Sequence, residues 1–318
     1  MGLEKQFKNL DEQIEILKNK GMIIEDEEYA KNVLLRENYF FLSGYRHIFL
    51  KSDKDRRYNE GTTFEELYSL FLFDRSIRNI LFKNLLIIEN NLKSIISYQL
   101  SKMYGFRERD YLRSKNFTNN TEKQRQVNDL IKKIKRQVRV NGKDDTATEH
   151  YVSNYGYIPL WILVKVLSFG IVSEMFSILK TSDQKDIANC YGIDTETLLG
   201  YLPILANYRN LCAHEEILFD HRTQKEIDDT IYHKLLNIKQ NSTGYMYGKN
   251  DVFALIIIMK QMLQTEEFTN MMYEMTNAVE TLRYNIEEPE MAKVFEKLGF
   301  PDNWDSLITM ERSNSNGQ

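Results

Sequence analysis

The apolar residues of this chain recur at intervals of three and four along most of its length, which is the spacing of an amphipathic helix. Residues 3–19 follow this pattern until Gly21 ends it. The longest example starts at Thr63, which forms a capping-box signature with Glu66 three residues later. No glycine or proline interrupts the chain from there to about Tyr104. The pattern therefore predicts one long helix, or two nearly collinear ones, packed along most of its length.

Further segments with the same spacing extend the helical prediction over almost the whole chain. With 14 glycines and 4 prolines, the sequence has too few turn signals for an all-β sandwich or barrel. We therefore predict an all-α fold. The additional helices are predicted at residues 25–37, 159–169, 171–179, 182–190, 194–202, 224–238, 252–284 and 290–298, with a break at Gly170 and a kink or restart at Pro203.

The helical pattern divides the chain into three regions. We predict an N-terminal helical segment over residues 1–62, a central helical domain over residues 63–240 and a C-terminal helical extension over residues 241–318. The segment from Asn241 to Gly244 is the best candidate for a late linker. A content of 42% hydrophobic and 28% charged residues is that of an ordered, soluble protein.

No segment of the sequence reads as a membrane anchor or a secretion signal. The longest apolar stretch, residues 158–179, is interrupted by a lysine, a glycine and a glutamate, and a membrane span tolerates such charges poorly. The N-terminus is charged from Glu4 onward and lacks the apolar core of a signal peptide. Cys190 and Cys212 are too few for a disulfide framework. We expect a cytoplasmic protein that does not contact membranes.

Charge is distributed unevenly along the chain. The 42 basic and 46 acidic residues give a net charge of -4, which offers no overall attraction for nucleic acid. Residues 102–143, in contrast, hold thirteen basic and four acidic residues, a net charge of +9, with Tyr104, Phe106, Tyr111 and Phe117 among them. This segment is either a solvated helix face or a surface that binds RNA phosphates and stacks bases. The candidate RNA-binding residues are Lys123, Arg125, Lys132, Lys133, Lys135, Arg136 and Arg139.

The most informative motif lies between Asn207 and His214, where Arg209 precedes His214 by five residues and Asn210 follows the arginine. Five residues on a helix leave the two side chains ~140° apart, but arginine is long enough to reach round. A guanidinium holds phosphate oxygens and an imidazole moves protons near neutral pH. Together, without a carboxylate cluster, they suit RNA cleavage by attack of the 2′-hydroxyl without a metal. From spacing alone, a surface arginine and a capping or core histidine remain the alternative.

Competing chemistry has weaker support in the sequence. One alternative is a metal cluster formed by residues around the motif, namely His214, Glu215, Glu216 and His221, but the spacing matches no zinc motif. Glycine-rich phosphate loops are absent as well, so we predict no metal and no cofactor. Among the other histidines, we interpret His47, in an apolar segment, as structural and His233, on a charged helix, as solvated.

Six segments, taken in order, resemble the AbiD/AbiF abortive-infection family of bacterial phage-defence proteins over roughly residues 30–220. They are Asn38–Tyr45, Phe73–Arg78, Glu89–Ser94, Ile158–Trp161, Leu167–Gly170 and Tyr208–His214. That family is similar to HEPN ribonucleases, which are helical bundles whose Arg-X4–6-His motif cuts RNA without a metal, usually across a dimer.

This resemblance implies a HEPN-type bundle in which Arg209 and His214 are catalytic and Asn210 takes the polar position after the arginine. It also implies RNA as substrate, and some members resemble toxins held by a small inhibitory RNA. One departure is that Glu215, Glu216 and Phe219 occupy the stretch where the family often has a second basic residue or histidine and a tryptophan. A non-catalytic RNA-binding or RNA-sensing protein on the same scaffold is the alternative function.

The motif also predicts a homodimer. One chain supplies one Arg209 and one His214, whereas cleavage of a phosphodiester moves one proton on and another off, which favours two such groups facing each other. A two-fold interface would supply the second pair from a partner chain.

Overall fold

Helices make up nearly all of the regular structure in the computed structural model, which describes residues 6–52, 54–141, 145–242 and 244–312. The all-α prediction is confirmed. The described helices are α1 (Leu10–Asn19), α2 (Glu27–Glu37), α3 (Tyr39–Ser43), α4 (Phe64–Tyr104), α5 (Glu108–Tyr111), α6 (Gln124–Asn141), α7 (Thr146–Tyr155), α8 (Leu160–Val166), α9 (Phe169–Ser177), α10 (Thr181–Asn189), α11 (Thr195–Ala213), α12 (Ile231–Leu235), α13 (Val252–Met262), α14 (Thr265–Asn285) and α15 (Glu288–Leu298). Strands β1 (Gln240–Asn241) and β2 (Gly244–Tyr245) pair antiparallel within the predicted linker.

Helix α4 is the axis of the fold. Its 41 residues form one helix, about 60 Å long at 1.5 Å per residue, as the sequence pattern predicts. The predicted capping box is present: the Thr63 hydroxyl accepts from the Glu66 backbone N–H at 3.2 Å, and the Glu66 carboxylate accepts from the Thr63 N–H at 2.7 Å. A stripe of fully buried residues runs along the helix, including Ile77, Leu81 and Leu85. This stripe explains why so long a helix is stable in water.

Other helices pack around this axis. Helices α8, α10, α11 and α14 contact α4, while α9 packs on α11 and α6 packs on α8 and α9. Helix α13 is buried along its whole length, which fits its nearly uniform apolar sequence. The division into residues 1–62, 63–240 and 241–318 stays a prediction. No helix within the described ranges is both long and apolar enough to cross a membrane.

Helix boundaries differ from the prediction where side-chain caps override the glycine signal. Gly170 lies inside α9, and the break occurs just before it, because the Ser168 hydroxyl accepts from the Ile171 N–H at 3.4 Å and starts the helix. The predicted helix over residues 194–202 does not end at Pro203, because Pro203 lies within α11. The predicted helix over 252–284 is instead two helices, since Gln264 begins α14 with a capping box.

The predicted helix over residues 224–238 is wrong for most of its length, and only Ile231–Leu235 is helical. The N–H of Thr223 donates to the Asn250 carbonyl at 2.8 Å, and that of Ile227 donates to the Lys249 carbonyl at 2.8 Å. These long-range bonds hold the segment extended against the loop before α13. Local apolar spacing does not reveal such partners.

Candidate functional site

The motif residues lie at the C-terminal end of α11. Arg209 and Asn210 are in its last two turns, and His214 is the C-cap residue, whose N–H donates to the Asn210 carbonyl at 3.0 Å. Asn210 and His214 are exposed, while Arg209 is partly buried. The structure therefore presents the imidazole at a helix end, where it is open to a ligand.

A Schellman motif ends the helix directly after His214. The N–H of Glu216 donates to the Leu211 carbonyl at 3.2 Å, and the N–H of Glu215 donates to the Cys212 carbonyl at 3.3 Å. Glu215 takes the left-handed conformation, with φ of 54°, at a position that usually holds glycine. A glutamate here costs about 1 kcal/mol in backbone strain. The sharp turn fixes the direction in which the chain leaves the motif.

Arg209 is held by an ion pair with Glu89, a buried carboxylate on α4. Its Nε lies 3.0 Å from Glu89 Oε2, and the other oxygen of Glu89 accepts from Lys93 Nζ at 2.7 Å. The Glu89 side chain is only 5% exposed. Because the contact uses Nε, the two terminal guanidinium nitrogens have no hydrogen-bonding partner among the residues described. Those two nitrogens form the fork that binds phosphate oxygens.

A second buried carboxylate, that of Asp74, anchors the chain after the motif. It accepts hydrogen bonds from the Tyr45 hydroxyl at 2.8 Å, from Arg78 Nη1 at 2.7 Å and from the backbone N–H of Phe219 at 2.8 Å. The Leu218 N–H donates to it as well. Burial raises the pKa of Asp74 to about 6, against the opposing effect of Arg78 and the hydrogen bonds.

Arg78 extends this network to the turn beside His214. The same Nη1 that contacts Asp74 donates to the Glu216 carbonyl at 3.0 Å. The loop that follows the motif is thus tied to α4 through both a guanidinium and a carboxylate.

A cleft of about 1300 Å³ opens between this turn and the helices α2 and α3. Its lining includes His214, together with the basic and histidine side chains Arg36, Arg46, Arg75, Arg78 and His47 and the carboxylates Glu37, Glu215 and Glu216. Arg75 forms an ion pair with Glu37. Arg209 is not part of the described lining, so the two motif side chains face different surroundings within one chain.

Two other histidines, His47 and His233, have specific partners in the structure. His47 lines the cleft, stacks on Phe219 at 5.4 Å between ring centroids and places Nε2 3.2 Å from Asp220 Oδ2. The prediction that His233 is solvated is wrong. Its ring is fully buried, with Nε2 2.9 Å from the Gly248 carbonyl, and burial lowers its pKa.

Among the described residues, no group of histidine, cysteine, aspartate and glutamate side chains is arranged to hold a metal ion.

The candidate RNA-binding residues flank or lie on α6, and all seven are exposed. They differ in their neighbours: Lys133 pairs with Glu174 at 2.8 Å and Lys132 with Asp129 at 3.5 Å. In the described part of the chain, no carboxylate lies within ion-pair distance of Lys135, Arg136 or Arg139. These three are the cations best placed to exchange solvent for phosphate.

The aromatic residues of the basic segment are mostly unsuited to stacking on bases. Tyr111 and Phe117 are buried, and the Tyr104 hydroxyl donates to Asp183 at 2.6 Å. Phe106 is exposed and lies next to Tyr157. The segment therefore offers charge more than stacking surface.

A protein-family profile described as "Abi-like protein" matches residues 32–220, more than half of the chain. The chain belongs to this family. The resemblance to abortive-infection proteins is confirmed, and membership indicates a part in abortive infection, a form of phage defence. Comparison with curated proteins and with solved structures finds no significant match.

Both buried networks join segments that carry the Abi-like resemblance. Asp74 bonds Tyr45, and Glu89 bonds Arg209. Neither Asp74 nor Glu89 is among the site residues that the sequence predicts. The signal was available: charged pairs spaced four apart interrupt an otherwise apolar stripe, and buried charges require partners.

We expect replacement of Asp74 by asparagine to destabilise the protein strongly. The change leaves Arg78 buried without its counter-ion, and breaking such a pair costs about 3–5 kcal/mol. The measurement is the free energy of unfolding in urea.

Glu280→Gln is the matched control, because Glu280 pairs with Arg283 at 3.2 Å on the surface and its loss should cost about 1 kcal/mol or less. Equal stability of Asp74→Asn and wild type would show that the network does not anchor the loop.

Proposed function

We propose that this Abi-like chain is an endoribonuclease that cleaves RNA without a metal. The 2′-hydroxyl attacks the adjacent phosphodiester, Arg209 holds the phosphate, and His214 serves as general acid and base. The observation that carries the proposal is the state of Arg209, whose Nε is fixed by buried Glu89 at 3.0 Å while its terminal nitrogens have no hydrogen-bonding partner in the described ranges.

The Glu89 contact supports a role in holding charge. A guanidinium fixed in advance pays less conformational entropy when phosphate binds, and its planar fork matches two phosphate oxygens. Lys93 shares the Glu89 carboxylate, so the group beneath Arg209 keeps a counter-ion. The remaining positive charge of Arg209 is then directed at charge that develops on the phosphate in the transition state.

His214 has the exposure that proton transfer needs. It ends α11, and the Asn210 side chain is exposed one turn before it on the same side of the helix. The Asn210 amide is in a position to hydrogen-bond either the imidazole or a phosphate oxygen. Histidine changes charge near neutral pH, which suits both the removal and the return of a proton.

A homodimer would bring the two motif residues together. Within one chain Arg209 contacts α4, whereas His214 lines the cleft beside α2 and α3. If two α11 ends meet across a two-fold axis, Arg209 of one protomer and His214 of the other complete a site. We propose this composite arrangement, with Asn210 at its edge.

The basic face of α6 supports RNA as substrate. Lys135, Arg136 and Arg139 are exposed cations with no carboxylate at ion-pair distance in the described ranges, and such groups bind the sugar-phosphate backbone irrespective of sequence. We propose that the same face holds a small inhibitory RNA where one exists. Lys123, Arg125, Lys132 and Lys133 belong to the same surface but have polar or acidic partners.

The second candidate function is RNA binding without cleavage. Glu215 and Glu216 line the cleft beside His214, and two carboxylates next to a phosphate site oppose the binding of an anion. A protein that senses RNA on this scaffold would tolerate such charges better than a nuclease.

Arg209→Ala and His214→Ala should each lower RNA cleavage by about 100-fold or more, because each removes a group that acts on the reacting phosphate. The assay is cleavage of single-stranded RNA in EDTA. The fold should persist, since Glu89 keeps Lys93 as a counter-ion and His214 is exposed.

His150→Ala is the control, since His150 is exposed on α7 and lies outside the proposed site. Wild-type rates in both motif variants would exclude the catalytic assignment.

The α6 cations should set the salt dependence of RNA binding. Replacing Lys135 and Arg136 by glutamine should make the negative slope of log affinity against log salt less steep by about 1.4, because each single-strand phosphate contact contributes ~0.7. The same change at Lys132 and Lys133 should alter this slope less, because those cations already face Asp129 and Glu174. Equal slopes for wild type and both variants would show that these α6 cations are only a solvated face that does not bind RNA.

Mixing Arg209→Ala chains with His214→Ala chains should restore part of the activity. Half of the random dimers are then heterodimers with one intact composite site, so about a quarter of wild-type cleavage is expected. The measurement compares the mixture with each variant alone after subunit exchange. A fully active monomer in light scattering would contradict the dimeric site.

A further inference from the structure

Helix α3 presents two large apolar side chains to solvent at the cleft. Phe40 is 73% exposed and Phe41 is 56% exposed, and their rings meet edge to face with centroids 5.9 Å apart. The next residue, Leu42, is buried in the core. The helix is fixed from below by Leu42 and capped by Asn38, whose Oδ1 accepts from the Phe40 N–H at 2.9 Å. The two rings are therefore exposed on a short helix whose backbone is anchored to the core.

Unpaired arginines line the same cleft. No carboxylate within the described ranges lies at ion-pair distance from Arg36 or Arg46, in contrast to Arg75, which Glu37 neutralises. Arg46 donates through Nη1 to the Ser43 carbonyl at 3.0 Å, which holds its guanidinium beside α3. The cations thus come from α2 and the segment after α3, on the side of the cleft that carries the phenylalanines.

Glu37 is paired with Arg75, and the two remaining carboxylates of the cleft belong to a different element. Glu215 and Glu216 belong to the turn after α11, next to His214. A polyanion in the cleft would be repelled from that turn and attracted to Arg36 and Arg46. The volume of about 1300 Å³ exceeds the ~300–1,000 Å³ of usual small-molecule pockets and suits a chain molecule.

We propose that this cleft binds single-stranded RNA on its way to His214, with bases stacked on Phe40 and Phe41 and phosphates on Arg36 and Arg46. Exposed rings beside guanidinium groups are what unpaired nucleotides bind, whereas a duplex keeps its bases stacked inside and cannot use the rings. The inference rests on the proposed function only for the cleavage of the bound RNA strand. The binding itself is testable without cleavage.

The test measures binding of a fluorescein-labelled ten-nucleotide oligouridylate by anisotropy, in a His214→Ala background that prevents cleavage. Phe40→Ala/Phe41→Ala should weaken affinity about tenfold or more. Arg36→Gln/Arg46→Gln should make the negative slope of log affinity against log salt less steep by about 1.4. The matched control is Tyr273→Ala/Tyr284→Ala, because both tyrosines are comparably exposed aromatics on α14; it should bind as the parent does. Both phenylalanines are exposed, so unchanged melting temperatures are expected.

Cross-linking gives an independent readout. RNA that contains 5-iodouridine should cross-link to Phe40 or Phe41 under ultraviolet light, and the adducts are mapped by mass spectrometry. Affinity unchanged in Phe40→Ala/Phe41→Ala, or cross-links confined to other regions, would overturn the inference. So would loss of dimerisation in this variant with RNA affinity intact, since the rings would then bind a second copy of the chain.

The outcomes separate the cleft from the proposed nuclease. If the wild-type protein cleaves RNA and Phe40→Ala/Phe41→Ala neither binds nor cleaves more weakly, the cleft inference falls and the nuclease stands. If the wild-type protein cleaves no RNA, yet Phe40→Ala/Phe41→Ala binds RNA tenfold more weakly than the parent, the cleft inference stands and the proposed nuclease activity is contradicted.

Discussion

The turn that presents His214 depends on one buried carboxylate, that of Asp74. It lies on α4 and accepts hydrogen bonds from Tyr45, Arg78 and the backbone N–H groups of Leu218 and Phe219. Three separate parts of the chain therefore meet at one side chain: the segment after α3, the long helix and the loop that follows the motif. The direction in which His214 faces the cleft follows from this junction, because the chain leaves α11 by a turn whose continuation Asp74 fixes.

Glu89 plays the corresponding part for Arg209, about four turns further along the same helix. Ionised groups in the core are costly unless each is paired and hydrogen-bonded. Here both carboxylates have a basic partner four residues on in α4, Arg78 for Asp74 and Lys93 for Glu89. The long helix thus provides two buried carboxylates. Asp74 positions the backbone turn after His214, and Glu89 positions the guanidinium of Arg209.

Local pattern was sufficient for the long helix α4, and the capping box at Thr63 shows why: its partners lie three residues apart. Local pattern failed for residues 224–238, whose hydrogen bonds run to the loop before α13. It also failed for His233, since burial by Tyr245 and Gly248 depends on tertiary contacts. Arg209 and His214 could be found from the motif, whereas the Glu89 contact joins residues 120 positions apart and requires the fold.

The proposed cleavage of RNA by its own 2′-hydroxyl can be measured directly. The decisive measurement is the end chemistry of the products, determined by mass spectrometry after incubation of the purified protein with RNA in EDTA. Attack by the 2′-hydroxyl would leave 2′,3′-cyclic phosphate and 5′-hydroxyl ends, with no cleavage at a position that carries a 2′-deoxy substitution. Products with 3′-hydroxyl and 5′-phosphate ends, or equal cleavage at the 2′-deoxy position, would contradict it.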